Sequence, residues 1–200
     1  MTSILTQPRY KSYQEYLDDD SLSPDRNYRL LNTGELIEVA SEDDLNLRIA
    51  AVVIYLIAQL GDRALSERVR SNSKEIQVSP VGDGCVNRKP DLMILHPDHL
   101  TEARQAVLIG MEPPAFVAEV VSPGNEKSDN YLRDYQWKRQ QYQSWGISEY
   151  WIIDPHRQKV TVLLLKEGVY VAQVYEGNTP IPCATLPALS TTAAEILTEG

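Results

Sequence analysis

The stretch Phe116-Val117-Ala118-Glu119-Val120-Val121 is an apolar run that a single carboxylate interrupts. A strand buried on both faces is normally a continuous hydrophobic run, and Ser122-Pro123-Gly124 is a typical place for it to end. Burying a carboxylate in such a strand is unfavourable unless the charge is paired or bound to a metal. The segment therefore predicts a central strand in which Glu119 faces a solvated groove, an arginine or a cation.

A second carboxylate, Asp91, begins the preceding predicted strand at 91–95. Because side chains alternate along a strand, Asp91 shares a face with Met93, and Glu119 shares a face with Val117. If the two strands are antiparallel neighbours, the two carboxylates lie close together. Such a pair offers oxygen ligands to a hard ion such as Mg²⁺ or Mn²⁺. Taken alone, Asp91 is equally typical of a strand start after a proline.

The pair Pro90-Asp91 followed by Glu119 resembles the metal-site motif of the PD-(D/E)XK nuclease superfamily. In that motif a lysine stands two residues after the second acid, where this chain has Val121. The long helix predicted downstream offers Lys138 instead, four residues from Asp134 on the same helix face. Without the resemblance, a solvated pair between Lys138 and Asp134 is the ordinary interpretation.

A wider set of motifs follows in order along the chain: Phe116 to Pro123, Arg133-Asp134-Tyr135, Lys138, Tyr142, Gly146 and Glu149 to Pro155. Together they resemble the Uma-type restriction endonuclease family, which is widespread in cyanobacteria and was long a domain of unknown function. The likeness runs from about Tyr28 to Leu197. Each motif is weak alone, and their order makes the set distinctive.

The resemblance implies a restriction-endonuclease-like fold, with Lys138 as the active-site lysine. It also implies a divalent metal, Mg²⁺ or Mn²⁺, at Asp91 and Glu119. In a working site these two side chains and the Val120 carbonyl hold the ion, and a metal lowers the pKa of bound water. Lys138 then orients or deprotonates that water, or stabilises the pentavalent phosphorus. The expected substrate is DNA.

The chain departs from the family at two positions. Many members carry a glutamate where this chain has Arg29, and a histidine where it has Asn46. Four further side chains are candidates for an outer shell of the site: Glu35, Glu38, Asp134 and Tyr142.

Periodicity and turn signals predict one mixed α/β domain over residues 1–200, with an N-terminal extension at 1–25 and a core from about 28 to 197. The centre is a mixed β-sheet flanked by helices, of which the long ones lie at 41–61 and 129–145. Near the C-terminus an antiparallel hairpin extends the sheet.

The net charge of −9 and the pI of about 4.8 disfavour a broad basic surface for nucleic acid, but they allow a nuclease with a local basic groove. No apolar run reaches the roughly 18 residues of a membrane span, and the first residues lack the apolar centre of a secretory signal. We therefore expect a cytoplasmic protein with no membrane partner. Because closed dimers are the commonest oligomers, we expect a symmetric homodimer.

Two functions stay open on the sequence. The first is a metal-dependent endonuclease that hydrolyses the phosphodiester bonds of DNA, favoured by Glu119 in its apolar strand and by the placement of Lys138. The second is a non-catalytic binding or assembly module with a vestigial acidic site. The acidic net charge and Val121 favour that second function.

Overall fold

The computed structural model describes residues 3–4, 9–23, 26–40 and 43–197. The helices are α1 (Tyr13–Leu17), α2 (Asp44–Ala58), α3 (Arg63–Ser66), α4 (His99–Glu102), α5 (Asp129–Leu132), α6 (Lys138–Trp145) and α7 (Ala193–Leu197). The strands are β1 (Ser3–Ile4), β2 (Asn27–Leu30), β3 (Leu36–Val39), β4 (Val69–Arg70), β5 (Glu75–Gln77), β6 (Asn87–Arg88), β7 (Leu92–Ile94), β8 (Ala106–Val107), β9 (Phe116–Val120), β10 (Glu149–Asp154), β11 (Lys159–Lys166) and β12 (Val169–Glu176).

A mixed sheet of strand order β12-β11-β10-β9-β7-β4 forms the centre of the molecule. Strands β9 and β10 are parallel, whereas β7 pairs antiparallel with β9 and β11 pairs antiparallel with β10. Strands β11 and β12 form the hairpin that extends the sheet. The predicted fold class, a central mixed sheet flanked by helices with an antiparallel extension, is confirmed.

The two faces of this sheet support separate hydrophobic clusters. On one face Phe116 and Ala118 pack in the cluster that includes α2 and α7. On the other, Val117 packs in the cluster that includes Tyr142 of α6. Because side chains alternate along β9, Glu119 follows Val117 onto the α6 side. Each large apolar side chain buried in these clusters stabilises the fold by about 1.5–3 kcal/mol.

The long helix predicted at 129–145 has the expected bounds, but a π-helical turn at Arg133–Trp137 separates α5 from α6. The backbone N–H of Lys138 donates to the carbonyl of Arg133, five residues back, which is the π pattern. The helix ends at Gly146, whose φ of +93° is the left-handed conformation that glycine adopts without strain. Within the described ranges, no helix is long and apolar enough to cross a bilayer.

The start of α2 differs from the prediction. The structure begins this helix at Asp44, and the carboxylate of Asp43 accepts a hydrogen bond of 2.9 Å from the Leu45 N–H. An aspartate is as good an N-cap as a serine, so the acidic run at this point of the sequence is compatible with a helix that begins at more than one residue. Ser41, at which the helix was predicted to begin, lies outside the described residues.

The hairpin of β2 and β3, predicted around the turn at 32–34, packs against the segment that leads into β7. The Asn87 side chain accepts from the Leu30 N–H at 2.8 Å and donates to the Tyr28 carbonyl at 3.1 Å. These buried amide contacts hold the hairpin above the end of the sheet where Asp91 lies.

Candidate functional site

The two acids of the predicted site meet at the junction of β7 and β9. Their antiparallel register pairs Leu92 with Ala118, which sets Asp91 opposite Glu119. Asp91 is 4% exposed and Glu119 is 1% exposed. The Asp91 carboxylate also accepts a hydrogen bond of 2.7 Å from the Val120 N–H. Strand alternation and an antiparallel pairing are therefore enough to bring the carboxylates together.

Lys138 reaches the same point from α6. Its Nζ lies 2.8 Å from Glu119 Oε2 and 3.0 Å from Asp134 Oδ1. Burial by itself lowers the pKa of Lys138, but the carboxylates of Asp134 and Glu119 outweigh it and leave the pKa above its ordinary value. The helix thus supplies the cation that strand β9 lacks, since Val121 is buried in apolar core.

Asp134 anchors this lysine from within the π-helical turn. Its carboxylate is fully buried and accepts from Arg133 Nε at 3.0 Å and from the Ser122 N–H at 3.1 Å. Burial raises the pKa of Asp134, yet the charges of Lys138 and Arg133 hold it below the ordinary value. The Ser122 contact ties the helix to the end of β9.

Tyr142 fixes the second oxygen of Glu119. Its hydroxyl donates to Glu119 Oε1 at 2.5 Å, opposite the oxygen that faces Lys138. Burial and the nearby carboxylate raise the pKa of Tyr142 well above its ordinary value, so the phenol is a neutral donor. Glu119 is therefore held in one orientation by two side chains of the same helix.

Some of these groups line a cavity of about 660 Å³ at the end of the sheet. Asp91, Glu119 and Lys138 lie on one wall. The β2–β3 hairpin forms a second wall, with Arg29 and Ile37 in its lining. The volume lies within the range of about 300–1,000 Å³ that is usual for small-ligand sites.

The donors that face this cavity suit a hard divalent ion. Asp91 and Glu119 provide carboxylates, and the Val120 carbonyl, to which the Asn46 amide donates at 3.4 Å, provides a third oxygen. Among the described residues, no group of three His, Cys, Asp or Glu side chains is placed to hold a metal. Mg²⁺ commonly uses one or two carboxylates and keeps several waters, so this oxygen set fits it.

Two of the predicted outer-shell acids are placed elsewhere. Because side chains alternate along β3, Glu38 lies on the face opposite Ile37 and forms a salt bridge of 2.8 Å with Arg26. Glu35 accepts from the Thr33 hydroxyl at 2.9 Å in the hairpin turn. Neither lines the cavity, which corrects the prediction of a third acid there. The other two, Asp134 and Tyr142, contact Lys138 and Glu119 as described.

Two arginines that sequence reasoning left out also line the cavity. Arg88 is buried, donates from Nε to the Gln141 amide oxygen at 2.8 Å and contacts both oxygens of Asp83 at 2.9 Å. Arg133 forms a salt bridge with Asp134. Arg88 stands directly before the Lys-Pro-Asp motif, and Arg133 stands directly before Asp134. These positions are the signals in the sequence that could have identified the two arginines.

Comparison with family models matches residues 12–195 to the Uma2 family, described as "Putative restriction endonuclease". Among solved structures, the fold is similar to that of a putative nuclease belonging to DUF820 from Anabaena variabilis ATCC 29413. That match has a TM-score of 0.60 and 14% identity, and it covers 92% of this chain and 96% of that chain. At this identity the likeness shows the fold alone. A comparison with curated proteins found no match.

Proposed function

The chain belongs to the Uma2 family, and from that premise we propose that it is a metal-dependent endonuclease that hydrolyses phosphodiester bonds of DNA. One observation carries the proposal. Two buried carboxylates from neighbouring strands, Asp91 and Glu119, meet at a cavity wall with the ammonium of Lys138 2.8 Å from Glu119. A symmetric homodimer, which brings two such sites to the two strands of a duplex, is part of the same proposal.

Energetics support a functional role for this cluster. Burying charges is costly, and well-packed apolar side chains in their place are often equally stabilising or more so. Glu119 and Lys138 nevertheless line a cavity, and Asp134 contacts Lys138. An ionisable group with a shifted pKa in a cleft, as Lys138 has, is typical of functional sites.

In the proposed mechanism, Asp91, Glu119 and the Val120 carbonyl would hold Mg²⁺ or Mn²⁺. Such an ion, when bound, lowers the pKa of a coordinated water and neutralises phosphate charge. Lys138 donates from its ammonium to the water or to a phosphate oxygen as negative charge develops. Tyr142 and Asp134 are positioning residues, because they hold Glu119 and Lys138 in place.

Plasmid nicking with Mn²⁺ tests this proposal. Wild-type protein should convert supercoiled plasmid to the open circle, and Asp91→Ala, Glu119→Ala and Lys138→Ala should not. Calorimetric titration with Mn²⁺ on wild type and Glu119→Ala provides a readout that does not depend on cleavage. Nicking that survives all three substitutions would show a contaminating nuclease and contradict the assignment.

A non-catalytic binding or assembly module is the second candidate function, and one observation favours it. Both oxygens of Glu119 already have partners in Lys138 and Tyr142, so the acid is satisfied without an ion. The Mn²⁺ titration separates the two candidates. Equally poor binding by wild type and Glu119→Ala favours the module, whereas binding lost only in Glu119→Ala favours the nuclease.

A further inference from the structure

The cavity wall formed by the β2–β3 hairpin carries an arginine without an acidic partner. Arg29 lies in β2, is partly buried and lines the cavity. In the part of the chain that the structure describes, its guanidinium forms no ion pair and no side-chain hydrogen bond. Since arginine is always charged and has five donors, this is an unusual arrangement for a partly buried side chain.

Other cations surround Arg29. Burial lowers the pKa of Arg29, the nearby guanidinium groups of Arg133 and Arg88 lower it further, and the Asp83 carboxylate opposes them in part. Arg88 is 4% exposed, and its Nη1 has no hydrogen-bond partner. Lys89 lines the same cavity, and its Nζ donates at 2.9 Å to the uncharged amide oxygen of Asn27.

The cavity lining contains five carboxylates, of which Asp91 accepts a hydrogen bond from the Val120 N–H. Asp83 pairs with Arg88, and Glu119 pairs with Lys138. Asp43 caps α2, and Asp129 begins α5, where each faces the positive end of a helix. Among the cations of the cavity lining, Arg29 and Lys89 therefore form no ion pair within the described residues, although the whole chain carries a net charge of −9.

We propose that Arg29, Lys89 and Arg88 form a subsite for a phosphate of the DNA strand, next to the acid pair of the candidate site. The inference rests on the proposed function, because it places a backbone phosphate adjacent to the one that is cut. The planar fork of Arg29 matches two phosphate oxygens, and Lys89 adds a point charge. An anion in this position removes the repulsion among the guanidinium groups. The three basic side chains also supply the local basic groove that a nuclease with an acidic net charge requires.

Fluorescence anisotropy with a labelled DNA duplex, measured with Ca²⁺ in place of Mg²⁺, tests the subsite. Arg29→Ala should weaken binding about tenfold at low salt and reduce the slope of log K against log salt by about 1. Arg29→Lys should recover part of the affinity, and Lys89→Ala should weaken binding in the same direction. Arg63→Ala is the matched control, because Arg63 lies on α3, is exposed and pairs with Glu67. It should change binding less than about twofold.

The melting temperature gives an independent readout. Since Arg29 has no acidic partner in the described structure, Arg29→Ala should leave the melting temperature unchanged or raise it. Binding by Arg29→Ala equal to that of Arg63→Ala overturns the subsite, and so does a wild-type protein that binds no DNA.

Nicking assays on the same variants separate the two proposals. Binding that depends on Arg29 in a wild-type protein that never cleaves DNA supports the subsite and refutes the nuclease. Cleavage that needs Asp91 but is unchanged in Arg29→Ala supports the nuclease and refutes the subsite.

Discussion

Glu119 in β9 and Glu149 in β10 are buried glutamates on neighbouring strands, each 1% exposed, and their surroundings differ. Glu119 lines the cavity and contacts Lys138. Glu149 accepts from the Trp151 indole N–H at 2.8 Å and from the Thr185 N–H at 2.7 Å. It forms no ion pair within the described residues. Burial of a carboxylate in a strand therefore does not by itself identify a functional site. The groups that the carboxylate contacts distinguish a site from a structural position.

The register explains the difference. Strands β9 and β10 are parallel, with Tyr150 paired to Val117, so Glu149 precedes Glu119 along the sheet. The carboxyl ends of parallel strands are where open α/β sheets place ligands, and Glu119 lies at that end. Alternation also sends the two side chains to opposite faces, since Glu149 shares a face with Trp151.

Removing the acids of the candidate site should have the largest effect. Glu119→Gln and Asp91→Asn should each reduce the rate of plasmid nicking with Mn²⁺ by about 10³-fold, equivalent to about 4 kcal/mol of activation free energy. Glu149→Gln is the matched control and should retain its activity per folded molecule. Equal losses in the Glu119 and Glu149 variants would end the functional distinction between the two glutamates.

Removing the ammonium should have the next largest effect. Lys138→Met should reduce nicking by about 10²-fold, as expected for loss of one charged donor near the reacting phosphate. Mn²⁺ affinity should be retained, because Lys138 is not a ligand, and titration calorimetry checks this. Lys166→Met, at an exposed position at the end of β11, is the control. A variant that nicks at the wild-type rate would assign Lys138 a purely structural role.

Glu149 should matter for stability instead. Glu149→Gln should lower the free energy of unfolding by about 1–3 kcal/mol, because an amide cannot accept from both the Trp151 and Thr185 donors as a carboxylate does. Urea denaturation measures this, with exposed Glu176→Gln as the control. A larger stability loss in Glu119→Gln than in Glu149→Gln would contradict the expectation that Glu149 is the glutamate that stabilises the fold.

Asp154, another buried acid, extends the contrast to the pH dependence of stability. Burial raises its pKa, but hydrogen bonds from Tyr135 and Arg157 outweigh burial and hold the pKa below its ordinary value. Its contribution to stability is therefore present above the unfolded-state pKa of about 3.9 and is lost as pH falls through the folded-state pKa. Asp154→Asn should remove about 1 kcal/mol of the stability difference between about pH 6 and about pH 3. An unchanged pH profile of urea unfolding would contradict this.

Local patterns predicted most of the fold. The helical spacing of apolar residues in α2 and the apolar run of β9 are strong signals because they repeat over several residues. Strands β4 and β6, of two residues each, were missed since so short a segment has no measurable period. The π-helical turn was also missed; it contains Asp134, whose carboxylate accepts from the Ser122 N–H beyond the end of β9, a contact that no local pattern signals.

The sequence by itself determined which strand face each acid occupies, because side chains alternate along a strand, whereas the antiparallel pairing that sets Asp91 opposite Glu119 came from the structure. Only the tertiary structure decided that Lys138 reaches Glu119, that Glu38 faces away, and that Glu149 is structural. It also placed Arg29 in the lining of the same cavity as the acids. These outcomes depend on register and on packing between segments far apart in the chain, and no local pattern in the sequence encodes either.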